Sequence, residues 1–263
     1  MSKAIYKPKG KAGEYAEWAC NLYVGCSNDC SYCYCKKGVL SHAMGGPEPK
    51  LKSCFRNERH AFETFVNELD ANIDALRQSS LFFTFSSDPL IPETRALNVK
   101  CIEYAIMRGV RCQVLTKNAD FIQDEALRIM VSNTSGLHYG KFLAFGFTLT
   151  GCDDLEPGAS SNNERINAMR LLHSIGFRTF ASLEPVVVPA KTAKMARMAA
   201  DCCDLYKVGL QSGVPKSYYA EEDIFEMVHE IEQTGVKTYY KHSLTSYLNH
   251  EEQEPVDIFE III

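Results

Sequence analysis

Two rhythms of apolar residues alternate along the chain. In the first, Phe62, Phe65, Val66, Leu69, Ile73 and Leu76 recur at three-four spacing and form one stripe, the mark of an amphipathic helix. In the second, short runs of β-branched and aromatic residues stand between turn residues, as strands do. The pattern predicts strands over residues 81–85, 110–115, 141–148, 177–183, 205–210 and 236–240, preceded by a first strand near 19–24. Helices are predicted between them over 93–107, 123–131, 163–175, 190–203 and 221–234, with a short one near 244–248 and an apolar run at 258–263.

Strands alternating with helices are the signature of βαβ units and a parallel sheet, hence an α/β fold. Counting the first strand there are about six such units, enough for a partial (β/α)6 TIM-like barrel with mostly parallel strands but short of a full barrel of eight. Right-handed crossovers bring the C-terminal ends of all parallel strands to one rim, where ligands bind in such folds. Residues 1–17, rich in Lys, Gly and Pro, are expected to run over the surface as an N-terminal extension. Residues 18–240 then make the barrel and 241–263 a C-terminal extension. Residues 38–55, with Gly45-Gly46-Pro47-Glu48-Pro49, carry loop chemistry without apolar period, and a long loop of this kind serves as a lid or substrate wall.

With 46% hydrophobic and 23% charged residues among 263, the composition is that of one soluble globular domain. No apolar run approaches the ~18 residues of a membrane span. The net charge of −5 is uneven: residues 1–60 hold ten Lys and Arg against five Asp and Glu, and the remainder 18 against 28. Such asymmetry marks an anionic substrate or a nucleic-acid patch, or else a solvated tail carrying Lys3, Lys7, Lys9 and Lys11. Duplex DNA ordinarily meets a stronger basic stripe. The eleven cysteines fall below the ~8–10% density of short secreted disulfide frameworks. Without a signal-peptide pattern, free thiols predict a reducing, cytoplasmic setting.

Three of those thiols, Cys26, Cys30 and Cys33, lie in one short turn, Cys26-Ser27-Asn28-Asp29-Cys30-Ser31-Tyr32-Cys33. Thiolates at this spacing converge on one side of a loop and suit soft iron or an iron–sulfur cluster. Three ligands leave one iron of a four-iron cluster open, which favours chemistry over simple electron transfer. A structural zinc site wants a closed tetrahedral set, and no second cysteine pair follows at finger spacing. Cys54, Cys101, Cys112 and Cys152 stand singly, Cys202 and Cys203 suit core packing, and the seven histidines show no HxxxH spacing. Cys20 and Cys35 flank the triplet, either as cluster neighbours or as small buried apolar residues.

Polar residues follow several predicted strands. Ser86-Ser87-Asp88-Pro89 offers small groups that let the backbone approach a ligand amine, or simply a turn into the next helix. Lys117 stands at a strand end where an ammonium can pair with a carboxylate. Thr148 and Thr150 follow the next strand. Glu184 follows another, ready to accept bonds from ribose hydroxyls or substrate, or to cap a turn.

CxxxCxxC with an aromatic residue, Tyr32, just before its last cysteine resembles the signature of the radical S-adenosylmethionine (radical SAM) superfamily. The Ser-Ser-Asp-Pro, Leu115-Thr116-Lys117, Phe147-Thr148-Leu149 and Glu184-Pro185 segments, over roughly residues 20–190, resemble its spore photoproduct lyase-like branch. The resemblance implies a partial (β/α)6 barrel and a 4Fe-4S cluster on Cys26, Cys30 and Cys33. In that family SAM chelates the open iron, and one electron splits it into methionine and a 5′-deoxyadenosyl radical that abstracts hydrogen from substrate. Carried over, Lys117 and Thr148 hold the SAM carboxylate, Tyr32 and Tyr34 touch adenine, and Ser86, Ser87 and Asp88 surround the methionine amine. Arg165 in Asn163-Glu164-Arg165-Ile166 matches a family arginine, or serves a helix surface pair. The electron would come from an external flavodoxin or ferredoxin type donor.

One departure bears on substrate. Photoproduct lyases carry a cysteine hydrogen donor just before the Ser/Thr-Ser-Asp motif, where this chain has Phe85, and the basic hairpin with which they engage DNA has no evident counterpart. The expectation is a radical SAM enzyme acting on something other than the thymine photoproduct, its substrate unidentified, with anionic molecules and nucleic acid among the candidates. The alternatives are a non-catalytic iron–sulfur redox sensor and a zinc-stabilised binding module.

Overall fold

The computed structural model describes residues 3–38, 41–124 and 139–261. Its strands are β1 (Ile5–Tyr6), β2 (Trp18–Cys20), β3 (Tyr23–Val24), β4 (Lys50–Leu51), β5 (Ser80–Phe83), β6 (Arg111–Thr116), β7 (Leu143–Thr148), β8 (Arg178–Val186), β9 (Leu205–Leu210) and β10 (Thr238–Tyr240). Eight of them form one sheet in the order β1-β2-β5-β6-β7-β8-β9-β10, and β3 pairs with β4 apart from it. β1 runs antiparallel to β2. All other neighbours in the large sheet are parallel, so the described residues hold seven parallel strands, as many as the chain's rhythm predicts.

Among the described residues the helices longer than a single turn are α1 (Glu58–Ala71), α2 (Ile73–Gln78), α3 (Pro92–Met107), α4 (Asn162–Ser174), α5 (Pro189–Ala199), α6 (Glu221–Glu232) and α7 (His242–Leu248), and Ser41–Met44 makes one further turn. Their starts have local causes. The Asn57 side chain accepts from the His60 N–H at the head of α1. Pro92 opens α3, where its missing N–H costs nothing. Ser161 and Glu164 close a reciprocal capping box on α4. The stripe foreseen on α1 buries Phe65 and Leu69, against a core that includes Phe83, Val114, Phe147 and Leu183 from the sheet face beneath the helices.

The other sheet face is concave. Ala19 of β2, Phe82 of β5, Ala144 of β7, Phe180 of β8, Leu205 of β9 and Tyr239 of β10 share one cluster. Tyr15, Ala16 and Ile258 join the same cluster, so the chain's own ends fill the hollow of this face. Gly146 of β7 permits that packing, because a Cβ there would lie 2.2 Å from the Phe180 ring. Strands buried on both faces read as near-continuous apolar runs, and every residue of β5 and of β7 is buried.

Several expectations are corrected. The strand foreseen near 19–24 is two, because the chain breaks at Asn21 and Leu22 and β3 turns away to meet β4. Residues 1–17 do not simply cross the surface. Ile5 and Tyr6 add an edge strand whose N-terminal amides, those of Ala4 and Ile5, donate to Glu68 at 2.8 and 2.7 Å, and Tyr15 and Ala16 enter the concave cluster. The short apolar pair Tyr15-Ala16 lies between Glu14 and Glu17, so the charged surroundings masked it. The helix foreseen at 123–131 falls almost wholly outside the described residues. At the other end of the chain Asp257 accepts from Ser80 Oγ at 2.6 Å and Gln113 Nε2 at 3.2 Å, and Ile258 is buried, so this segment packs under the concave face. No helix among the described residues is long and apolar enough to cross a membrane.

Candidate functional site

The C-terminal ends of the parallel strands surround a cavity of about 410 Å³, within the ~300–1,000 Å³ of small-molecule sites. Cys26, Cys30 and Cys33 line one side of it together with Asn28, Ser87 and Lys117. Tyr15, Glu184 and Lys241 line the opposite end.

The cysteine turn is pinned by backbone contacts. Gly25 sits at φ +80°, and a Cβ there would meet the Glu48 carbonyl oxygen at 2.5 Å, so the turn lies directly on the 45–49 loop. Cys26 N donates to Gly46 O at 3.0 Å, Ser31 N to Leu155 O at 2.9 Å and Gly158 N to Asn28 O at 3.1 Å. Burial pushes the Cys26 thiol up to about 12 and raises that of Cys30, whereas a hydrogen bond with Cys35 lowers that of Cys33. Among the described residues no three His, Cys, Asp or Glu side chains converge on one point as ligands of a single ion would. A cluster does not ask for that convergence, because each thiolate takes a different iron, whereas one tetrahedral zinc does.

The motif after β5 divides its labour. Ser86 Oγ donates to Tyr23 O at 2.6 Å and is spent on β3. Asp88, 6% exposed, accepts four bonds: Asn28 Nδ2 at 2.8 Å and Lys117 N at 2.7 Å on Oδ2, Thr116 Oγ1 at 2.7 Å and Leu90 N at 3.0 Å on Oδ1. Its carboxylate therefore holds the site together. Ser87 Oγ and Asn28 Oδ1 are different: both are buried, line the cavity and have no protein partner. Orphaned acceptors of this kind fit a ligand that brings its own donors.

Lys117 Nζ stands 5.6 Å from the centroid of the Tyr32 ring. Burial works against its charge, but Cys30 and Glu156 outweigh that and raise its pKa. Thr148, at the end of β7, lines the cavity too. The Tyr32 hydroxyl donates to Glu156 and the Tyr34 hydroxyl to the carbonyl of Phe85. Phe85 itself stacks on Phe82 at 4.4 Å between centroids, and the Cys35 thiol lies 3.8 Å from the Phe85 carbonyl oxygen. Cys20 is fully buried core.

Glu184 lies at the far end of the cavity. Its Oε2 accepts from Tyr15 at 2.9 Å and Lys241 at 2.6 Å, while Tyr15 also shares a 2.7 Å bond with Ser182 Oγ. Arg165 is no surface residue. Its side chain is fully buried and meets the equally buried Glu156 at 2.6 Å. Sequence reasoning missed Glu156, Tyr15 and Lys241. Two had a visible signal: Leu155-Glu156-Pro157 repeats the Leu183-Glu184-Pro185 pattern, and Lys241 follows a strand end as Lys117 does.

No family model and no curated protein matches the sequence. Among solved structures, a spore photoproduct lyase complexed with dinucleoside spore photoproduct is 15% identical over 90% of this chain and 79% of that chain, with a TM-score of 0.64. A doubly substituted spore photoproduct lyase with bound AdoMet and the dinucleoside is 16% identical over 86% of this chain and 77% of that one, with a TM-score of 0.61. The chain shares the fold of these spore photoproduct lyase structures.

Proposed function

We propose that this protein is a radical SAM enzyme. The observation that carries the reading is the meeting, in one cavity, of three thiols, a cation at Lys117 and two partnerless acceptors, Ser87 Oγ and Asn28 Oδ1. A 4Fe-4S cluster and SAM would supply one-electron cleavage to a 5′-deoxyadenosyl radical for hydrogen abstraction. Cys26, Cys30 and Cys33 would hold the cluster. Lys117, with Thr148 beside it, pairs with the SAM carboxylate; Ser87 and Asn28 accept from the methionine ammonium, with Ser86 and Asp88 acting through the backbone they fix. Tyr32, with Tyr34, walls the adenine. Glu184 belongs to the substrate end, where Tyr15 and Lys241 orient its carboxylate. An external flavodoxin or ferredoxin type donor in a reducing cytoplasm completes the requirement.

Phe85 has no hydrogen atom to return to a product radical, so the substrate is proposed to be something other than the thymine photoproduct. The test is anaerobic reconstitution with iron and sulfide, followed by visible and electron paramagnetic resonance spectra and chromatography of the products formed with dithionite and SAM. A four-iron spectrum with 5′-deoxyadenosine formation is expected. Cys26→Ala, Cys30→Ala and Cys33→Ala should each lose cluster and cleavage together. A colourless protein, or a cluster that leaves SAM intact, would refute the reading, and efficient reversal of photoproduct dinucleotide would refute the substrate exclusion.

A further inference from the structure

The buried pair of Arg165 and Glu156 has no place in the reading above, yet the chain invests heavily in it. Arg165 on α4 is held from three sides: Nε donates to Ser160 O at 2.8 Å, Nη1 to Thr148 O at 2.8 Å and Nη2 to Glu156 Oε2 at 2.6 Å. Both side chains are fully buried. Desolvation offsets much of the attraction in such a pair, so stability alone is weak ground for keeping it. What it does accomplish is to fix one carboxylate in one orientation. The second oxygen of that carboxylate, Oε1, accepts from the Tyr32 hydroxyl.

Tyr32 belongs to the cysteine turn, and its ring lies beside Lys117. The segment that carries Glu156 grips the same turn through Leu155 O and Gly158 N, and reaches the Lys117 carbonyl through Ser160 N at 3.1 Å. A Cβ on Gly158 would sit 1.9 Å from the Ser27 carbonyl oxygen, so segment and turn are in direct contact. The helix after β7 thus sets the rotamer of an aromatic ring on a different loop, through one arginine and one glutamate.

We propose that Glu156 is a positioning residue for SAM: fixed by Arg165, it locks the Tyr32 ring in the orientation that receives the nucleotide. The inference rests on the radical SAM reading. It predicts that Glu156 acts on SAM affinity through Tyr32 and leaves cluster loading alone. An amide at position 156 can accept from Arg165 but offers Tyr32 only an N–H, so Glu156→Gln replaces the charge-assisted bond from the Tyr32 hydroxyl by a weaker neutral one and loosens the ring, whereas Tyr32→Phe removes the hydroxyl and spares the ion pair.

The experiment is equilibrium binding of SAM to the reconstituted, anaerobic protein, with iron content and the resonance spectrum of the reduced cluster recorded across the titration. Glu156→Gln is expected to weaken SAM about 10–100-fold, as loss of an orienting partner does around bound metal groups. Iron content should stay at the unsubstituted level, and the SAM-dependent spectral change should move to higher SAM. Tyr32→Phe should weaken binding in the same direction, and the double variant should bind no worse than the weaker single one, since residues acting in series are non-additive. Affinity of Glu156→Gln within about twofold of the unsubstituted protein, additive losses in the double variant, or iron content falling in step with affinity would each overturn the proposal. If Glu156→Gln does not fold, Tyr32→Phe alone decides, and unchanged affinity there overturns it. Failure of the unsubstituted protein to bind cluster or SAM refutes the family reading instead.

Discussion

Asp88 is the point at which the site is most exposed to a single change. Its two oxygens receive four donors from three places: the cysteine turn through Asn28, the end of β6 through Thr116 and Lys117, and its own loop through Leu90. Asp88→Asn keeps the shape and replaces one acceptor by a donor. With the amide nitrogen at Oδ2 it would face two N–H groups, of Asn28 and Lys117. At Oδ1 it would face the Leu90 N–H, which has no alternative, and the Thr116 hydroxyl, which can rotate and accept. The cheaper placement therefore orphans one buried backbone donor, at about 1–3 kcal/mol, and turns the remaining charge-assisted bonds into ordinary ones. A loss of about 2–4 kcal/mol in unfolding free energy is expected, and a larger one for Asp88→Ala, which orphans all four donors. Urea denaturation of the cluster-free protein, followed by the fluorescence of its one tryptophan, Trp18, reads this as a lower midpoint at unchanged slope. Heating should show a fall of roughly 2–4 °C per kcal/mol. Asp88→Asn within about 0.5 kcal/mol of the unsubstituted protein would show that these oxygens are not all engaged.

Two further perturbations probe other joints. Lys207 is fully buried, with Nζ donating to Glu14 O at 3.3 Å and Tyr15 O at 3.0 Å, and burial pushes its pKa down to about 7. An unfolded lysine titrates near ~10.4, so above pH 7 the folded chain binds fewer protons and stability rises with pH, on the order of 1 kcal/mol per pH unit. Denaturation at about pH 7 and about pH 8 should show this rise, and Lys207→Met should flatten it; equal slopes in the two proteins would contradict the assignment. Gly158→Ala places a Cβ against the Ser27 carbonyl, and because both atoms belong to backbone it should cost about 1–3 kcal/mol. It should also lower iron loading by lifting the 152–161 segment off the cysteine turn. Unchanged denaturation and iron content would mean the two segments can part freely.

Much of the fold was legible because it is built from local periodicity. The predicted 93–107 and 205–210 elements match α3 and β9 almost residue for residue, since each has clear stops: Pro92 and Gly109 bracket the helix, and Asp204 and Gln211-Ser212-Gly213 the strand. What escaped reading depends on long-range pairing. β1 is two residues long and exists because β2 and Glu68 receive it. The division of 19–24 into β2 and β3 follows from where β4 lies, 26 residues beyond β3. At the site, the cysteine turn, Lys117 and Thr148 could be placed from strand ends alone. The division of labour among Ser86, Ser87 and Asp88 could not, because it depends on which partner reaches each oxygen first. The sequence leaves Arg165 open between a family arginine and a helix surface pair, because nothing in its neighbours in sequence reveals that Glu156 and the Thr148 carbonyl await it in space.

The first residues of the chain are held in place by cations from its second half. The parallel sheet starts with β2 and ends with β10, and residues 10–17 lie against both of those ends as irregular backbone. Buried carbonyls in such a segment need donors that no strand provides. Two lysines at the end of the sequence supply them: Lys241 Nζ reaches Lys11 O at 3.2 Å, and Lys207 Nζ reaches Glu14 O and Tyr15 O. Glu14 in turn accepts from the Tyr239 hydroxyl at 3.3 Å and the His242 N–H at 2.7 Å. Several cations of residues 1–60 are likewise spent locally, Lys7 on Glu17, Lys36 on Asp29, Arg59 on Glu63 and Lys52 on the Lys3 carbonyl. The pairs of Lys7 with Glu17 and Lys36 with Asp29 lie within residues 1–60 and leave the basic excess of that end as its count gives it, while the far end of the cavity, walled by Lys11, Ala12 and Tyr15, is shaped by the chain's own first residues.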